Sequence, residues 1–199
     1  MRQAIRWGGA CFLGVLLSSC GTPPPSTRLP TGYPLNGGFE RGFDSWGTGY
    51  IEDSVRKYHP PEESLLPYWM SPSSKATDSR LYLESKSPHS GAQAVRIEHR
   101  TPEQPQHYGT LAQRFPVKEN AVYEAEVWTR VEGPPGATWF LTMVREWEPH
   151  VNLPLAGVWT KTVFRFVTEK KQTEAELRFV IQGPGTYWID DVSLWELTR

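Results

Sequence analysis

Glu124, Glu126, Trp128 and Arg130 stand at alternate positions, so in an extended chain they share one face while Tyr123, Ala125, Val127 and Thr129 share the other. An indole between a carboxylate and a guanidinium, turned away from an apolar row, has the composition of a sugar site. A pyranose offers a flat C–H face and equatorial hydroxyls, which aromatic planes and charged hydrogen-bonding groups match. Glu126, Trp128 and Arg130 are therefore candidate ligand residues. Trp139 and Trp147, at the two ends of the alternating set Trp139, Leu141, Met143, Arg145, Trp147, would add aromatics to the same face. Their parity stays open, because Phe140, Thr142 and Val144 make an equally acceptable inner row. Tyr68 and Trp69 form a further aromatic pair in a loop. The competing assignment for any tryptophan is packing in the core or at a sheet edge. With nine of them that assignment must hold for several, Trp46 and Trp159 first and Trp188 with them.

Catalytic chemistry is poorly represented. There is no Gly-x-Ser-x-Gly elbow, no His-Glu-x-x-His pair and no phosphate-cradling glycine loop. The five histidines are scattered; His59, His89 and His150 adjoin prolines or loops and read as surface residues, and a metal trio of His99, His107 and His150 is left open. Glu146 and Glu148 flank Trp147, but acids two apart on a strand describe a solvated face better than a glycosidase pair. The chain reads as a binding protein rather than an enzyme.

The N-terminus carries different chemistry. Arg2 and Arg6 precede an apolar run, Trp7 through Leu17, too short to span a bilayer as a mature helix, which is the pattern of an export signal. Leu17-Ser18-Ser19-Cys20 resembles a lipobox, whose cysteine thiol accepts diacylglycerol; the alternative is an ordinary signal with Cys20 a bystander. On this reading residues 1–19 are the signal and residues 20–34, with Pro23-Pro24-Pro25, are a lipidated cysteine and an extended tether. The domain is then held on a membrane in the cell envelope, and Gly21 after the cysteine favours the outer membrane where there are two. Cys11 leaves with the signal, so no disulfide framework remains. Without Arg2 and Arg6 the chain keeps 19 basic residues against 22 acids, about −3, which does not resemble a nucleic-acid-binding footprint.

Residues 35–199 form one domain. From Arg80 onward apolar and polar residues alternate over short runs separated by Gly, Pro and Asn, the period of half-buried strands. The runs 80–84, 93–99, 108–115, 122–131, 137–145, 158–167, 174–182 and 186–197 predict an all-β antiparallel sandwich of the jelly-roll kind. Residues 50–80, rich in Pro, Ser and charge, read as a long irregular excursion of that domain.

Four segments in order carry a resemblance to the family 4, 9 and 22 carbohydrate-binding modules, which have a galactose-binding-like jelly roll. Leu35-Asn36-Gly37-Gly38-Phe39-Glu40-Arg41-Gly42-Phe43-Asp44-Ser45-Trp46 resembles the opening strand and turn. Ser90 to Ile97 is similar to the second strand motif, and Ala121 to Arg130 to the tyrosine strand. The close runs from Trp159-Thr160-Lys161 through Phe164-Arg165-Phe166 to Tyr187-Trp188-Ile189-Asp190-Asp191-Val192-Ser193-Leu194. The stretch between Trp46 and Ser90 is longer than these modules usually have. The resemblance implies a polysaccharide or glycan partner and a structural Ca²⁺ held by Glu40 and Asp190. Asp190 shares the parity of Val192 and Leu194 and so is expected to face the buried side, where a carboxylate needs a partner. The alternative is that Asp190 or Asp191 accepts backbone hydrogen bonds at a strand end while Glu40 is a solvated turn residue. The rival to sugar binding is an envelope-structural or protein-interaction module on the same fold.

Overall fold

The computed structural model describes residues 27–46, 63–65, 79–100, 109–133, 139–145 and 148–198, with the backbone alone for 63–65, 79, 109, 140–145, 148 and 149. The described residues form eleven strands: β1 (Thr27–Pro30), β2 (Glu63–Leu65), β3 (Ser79–Glu84), β4 (Ala94–His99), β5 (Gly109–Pro116), β6 (Val122–Glu132), β7 (Trp139–Arg145), β8 (Glu148–Asn152), β9 (Thr160–Val167), β10 (Glu174–Ile181) and β11 (Gly185–Thr198). All pairings are antiparallel. One sheet runs β2-β3-β4-β11-β6-β9, with β1 also on β11; the other runs β5-β10-β7-β8. The all-β sandwich and its eight main strands agree with the alternation in the sequence. Pairing begins earlier than expected, because Thr27–Pro30, within the segment read as tether, lies against Trp195–Thr198.

Alternation places one row of each strand in the core. Leu81, Val95, Ile97, Tyr123, Ala125, Val127, Phe164, Phe166, Tyr187 and Ile189 come from the larger sheet, and Leu111, Phe115, Leu177, Phe179 and Ile181 from the smaller. The segment from Leu35 to Trp46, expected to open on a strand, is instead a compact turn. Asn36 sits in the left-handed region at φ 53°; its side chain donates to the carbonyls of Gly42 (2.9 Å) and Asp44 (3.3 Å) and accepts from the Arg41 amide (3.1 Å). This drives Phe39, Phe43 and Trp46 into the core, where the Trp46 ring lies 5.1 Å from Phe39 and 6.2 Å from Phe179. Buried Gln113 of β5 ties the turn to the smaller sheet, accepting from the Leu35 amide and donating to its carbonyl.

β11 breaks its own alternation. Its register against β6 shifts between Asp190 and Ser193, where Asp191 adopts φ 46°, so the strand carries a bulge. One extra residue lets Tyr187 and Ile189 before the bulge and Val192 and Leu194 after it all face the core. The Val192 amide beyond the bulge donates to the Gly37 carbonyl (3.0 Å), docking the first turn on the last strand.

That contact is close enough to test. A Cβ on Gly37 would lie 1.9 Å from the Val192 backbone oxygen, whereas one on Gly38 would meet nothing nearer than 3.6 Å. Gly37→Ala should therefore cost more than about 2 kcal/mol and Gly38→Ala within about 1 kcal/mol, read as shifts of the urea midpoint. Equal midpoints for the two variants would show that the turn does not dock on β11 in this way.

Candidate functional site

The bulge corrects the expectation for Asp190. Residues 190 and 192 do not share a face, because the inserted Asp191 separates them; Asp190 lies opposite Trp128 of β6, on the outer side of the larger sheet. It is nevertheless fully buried, since the connection from β3 to β4 folds over it. The amides of His89 (2.8 Å), Ser90 (3.2 Å) and Asp191 (2.8 Å) donate to its carboxylate. Glu40 grips the same connection from the first turn, accepting from the amides of Ala92 (2.9 Å) and Gln93 (3.4 Å). Asp191 completes the clamp with Ser90 Oγ (2.8 Å) and His89 Nδ1 (2.6 Å), and the Trp159 indole donates to the Ser87 carbonyl. Burial pushes the Asp190 carboxyl up to about 6 despite its three N–H donors, with the neighbouring Asp191 charge adding to the rise. Among the described residues no three His, Cys, Asp or Glu side chains converge as a metal centre.

The parity expected of β6 holds: Tyr123, Ala125, Val127 and Thr129 are buried inward, and Glu124, Glu126, Trp128 and Arg130 face out. What was not legible is how fully that outer face is engaged by its own chain. Glu126 pairs with Arg28 (2.8 Å) and Lys161 (2.9 Å), and Glu124 with Arg165 (2.5 Å) and Arg28 (3.1 Å). Burial raises the Glu126 carboxyl, and Lys161 and Arg28 more than reverse this, leaving it below the ordinary range. His89 stacks on Trp128 at 3.8 Å, so the indole expected to lie open is half-buried beneath the β3–β4 connection. Arg130 lies over Trp188 at 4.0 Å and has the Trp159 ring at 5.6 Å. The next strands continue the pattern, with Arg96 over Tyr82 at 4.4 Å.

The remaining aromatic candidates separate. β7 pairs with β10 in the smaller sheet and is not a neighbour of β6, and Trp139 points into the core, 2% exposed and 5.0 Å from the Tyr187 ring. Its ring is sealed from ligand by the tight packing between sheets, which corrects its assignment to the ligand face. Trp147, Tyr68 and Trp69 lie outside the described residues, as do Cys20, His107 and Glu146. His99 is buried in the larger sheet and His150 exposed on the smaller.

A charged group that no motif marks occupies the outer face of the smaller sheet. β10 turns Ala175, Leu177, Phe179 and Ile181 to the core and Glu176, Arg178 and Val180 away from it, yet the outward three are 8%, 1% and 1% exposed. Glu176 receives Arg178 through Nε (2.8 Å) and Nη2, and Arg114 of β5 through Nε (2.6 Å). Arg178 is in register with Ala112 on one side and Thr142 on the other, so the group lies at mid-sheet. The one signal for it in the sequence is the opposite charge at positions 176 and 178 between apolar residues that alternate inward.

No protein-family model matches the chain, and no curated protein is significantly similar to it in sequence. Its fold does match solved structures. A family 61 carbohydrate-binding module in complex with β-1,4-galactotriose superposes with a TM-score of 0.50 at 18% identity, over 82% of this chain and 97% of that one. The family 22 and GH10 modules of Clostridium thermocellum xylanase 10B, complexed with xylohexaose, give 0.50 at 14% identity over 77% of this chain and 26% of that one. At these identities the likeness is one of fold, and the fold of this chain is the antiparallel jelly-roll sandwich of carbohydrate-binding modules.

Proposed function

We propose that the domain binds polysaccharide without transforming it, over the outer face of the smaller sheet, and that Cys20 tethers it by lipid to a membrane of the cell envelope. The observation that carries the binding reading is β10, buried on both faces although one of them bears charge rather than core residues. Burying Glu176 and Arg178 carries a desolvation cost that hydrophobic residues of similar size would avoid. Arg114, whose side chain is 35% exposed, is the member of this group that can offer donors to vicinal sugar hydroxyls, while the buried Arg178 fixes the carboxylate that orients it. The likeness to carbohydrate-binding modules supports the same reading.

A Ca²⁺ ion between Glu40 and Asp190 belongs to this proposal. Hard carboxylate oxygens from the first turn and the last strand suit it, and the charge of Asp190 is incompletely compensated by its N–H donors. The ion would neutralise that charge and strengthen the clamp on residues 89–93. The tether reading rests on Arg2, Arg6 and the sequence ending at Cys20, and labelling with a radioactive fatty acid, lost in Cys20→Ala, tests it.

Affinity electrophoresis of the chain from Gly21 onward, run against xylan, β-1,4-galactan, β-glucan, mannan and α-glucan, tests sugar binding. Retardation by at least one polymer is expected. Arg114→Ala should weaken it tenfold or more while costing about 1 kcal/mol or less in stability, because that side chain is partly solvated. Failure of every polymer to retard the domain would leave the protein-interaction reading in its place.

The carboxyl of Asp190 gives a second measurement. The folded state holds its proton more tightly than an unfolded chain, whose value is 3.8, so this group makes stability fall as pH rises from about 4 to about 6. Its ¹³C resonance should titrate near pH 6 in chelator and move to lower pH with Ca²⁺, accompanied by a higher melting temperature. A midpoint and melting temperature indifferent to Ca²⁺ would leave the hydrogen bonds as the whole of the clamp.

A further inference from the structure

We infer that Arg130, with Trp159 and Trp188, forms a second binding subsite on the opposite sheet, specific for the carboxylate of a uronic-acid-bearing glycan. Four residues lie directly opposite one another across four strands: Tyr82 of β3, Arg96 of β4, Trp188 of β11 and Arg130 of β6. Arg96 has carboxylates within reach at Glu84 and Glu98, both at 3.5 Å. The other cations of this face, Arg28, Lys161 and Arg165, are satisfied by Glu124 and Glu126. Arg130 differs: its charge is met by the faces of Trp188 and Trp159, and no described carboxylate lies within ion-pair distance. A guanidinium laid on an indole face, with a second indole within 5.6 Å, keeps its planar fork pre-organised and partly dehydrated, the condition in which a bidentate carboxylate is bound most strongly.

A second observation points to an absent acceptor. Trp188 is 6% exposed and its indole Nε1 has no hydrogen-bond partner among the described residues, nor have the Nε atoms of Arg130 and Arg96 on either side of it. Buried donors are ordinarily paired, so the adjacent Nε1 of Trp188 and Nε of Arg130 mark a place where oxygen is missing, whereas Arg96, on the far side of Trp188, keeps Glu84 and Glu98 within reach. An oxyanion at Arg130 supplies that oxygen where a neutral hydroxyl would leave the charge unmatched. Trp159, half-buried beside Arg130, offers the apolar edge against which the ring bearing the carboxylate can lie. The inference rests on the domain being a glycan binder, and takes its ligand on a different sheet from Arg114, Glu176 and Arg178.

Glucuronoxylan and the same polymer after carboxyl reduction are the probes, applied to the full-length protein in detergent by affinity electrophoresis. In parallel, monomeric glucuronate and glucose are titrated while the tryptophan indole N–H resonances are followed. The unmodified polymer should be held at least tenfold more tightly than the reduced one, with the difference shrinking as salt is raised. Glucuronate, but not glucose, should shift the Trp188 indole resonance. Arg130→Gln should abolish both effects, and Arg130→Lys, which keeps the charge and loses the fork, should recover only part of them. Unchanged binding of neutral polymers by both variants would show that the fold survives. Equal retention of the two polymers with a still Trp188 resonance would overturn the inference while leaving the other sheet's sugar site intact. A Trp188 shift with glucuronate would support the anion subsite even where no polymer is retained and the broader reading fails. Full glucuronate response in Arg130→Gln would refute the assignment outright.

Discussion

Asp191, held at φ 46° within β11, is the residue on which much of this architecture depends. A strand of 14 residues that alternated without interruption would send Val192 and Leu194 to solvent if Tyr187 and Ile189 faced the core. The bulge keeps both halves inward and turns two consecutive carboxylates, Asp190 and Asp191, toward the β3–β4 connection. The same irregularity leaves the Val192 amide available to the Gly37 carbonyl, which brings in the first turn and with it Phe39, Phe43 and Trp46. A disulfide is absent from the described residues, and this set of backbone-to-carboxylate contacts links the two ends of the folded chain.

Charge is placed differently on the two outer faces. On the larger sheet Glu124 and Glu126 each meet two cations, and the guanidiniums of Arg28, Arg96 and Arg130 lie over Trp195, Tyr82 and Trp188. Each such cation over a ring contributes roughly 0.5–1 kcal/mol when partly exposed. On the smaller sheet, charge is recessed and concentrated in Glu176, Arg178 and Arg114. Breaking the buried Glu176–Arg178 pair costs about 3–5 kcal/mol, so this pair also constrains the geometry of the middle of its sheet.

Sequence periodicity alone was sufficient for the sandwich and for the inward and outward rows of β6, because alternation about the backbone depends on nothing beyond the strand itself. It also exposed the need of Asp190 for partners and the structural character of Trp46 and Trp159, whose indoles donate to the Asn36 and Ser87 carbonyls. Periodicity failed where one residue was inserted. A bulge leaves no compositional mark, so Asp190 was grouped with Val192, and a run with two acceptable parities left Trp139 on the wrong side.

What only the tertiary structure decided is which outward side chains are already satisfied. Trp128 and Arg130 have the same outward parity, yet the first is covered by His89, 39 residues distant in sequence, and the second is framed by Trp159 and Trp188 from two other parts of the chain. The pairing of Arg114 with Glu176 likewise joins strands 62 residues apart. A strand's sequence determines the direction of each side chain, because that is set by local backbone geometry; whether the side chain then meets a partner depends on segments brought together by packing, and no spacing within the strand records it.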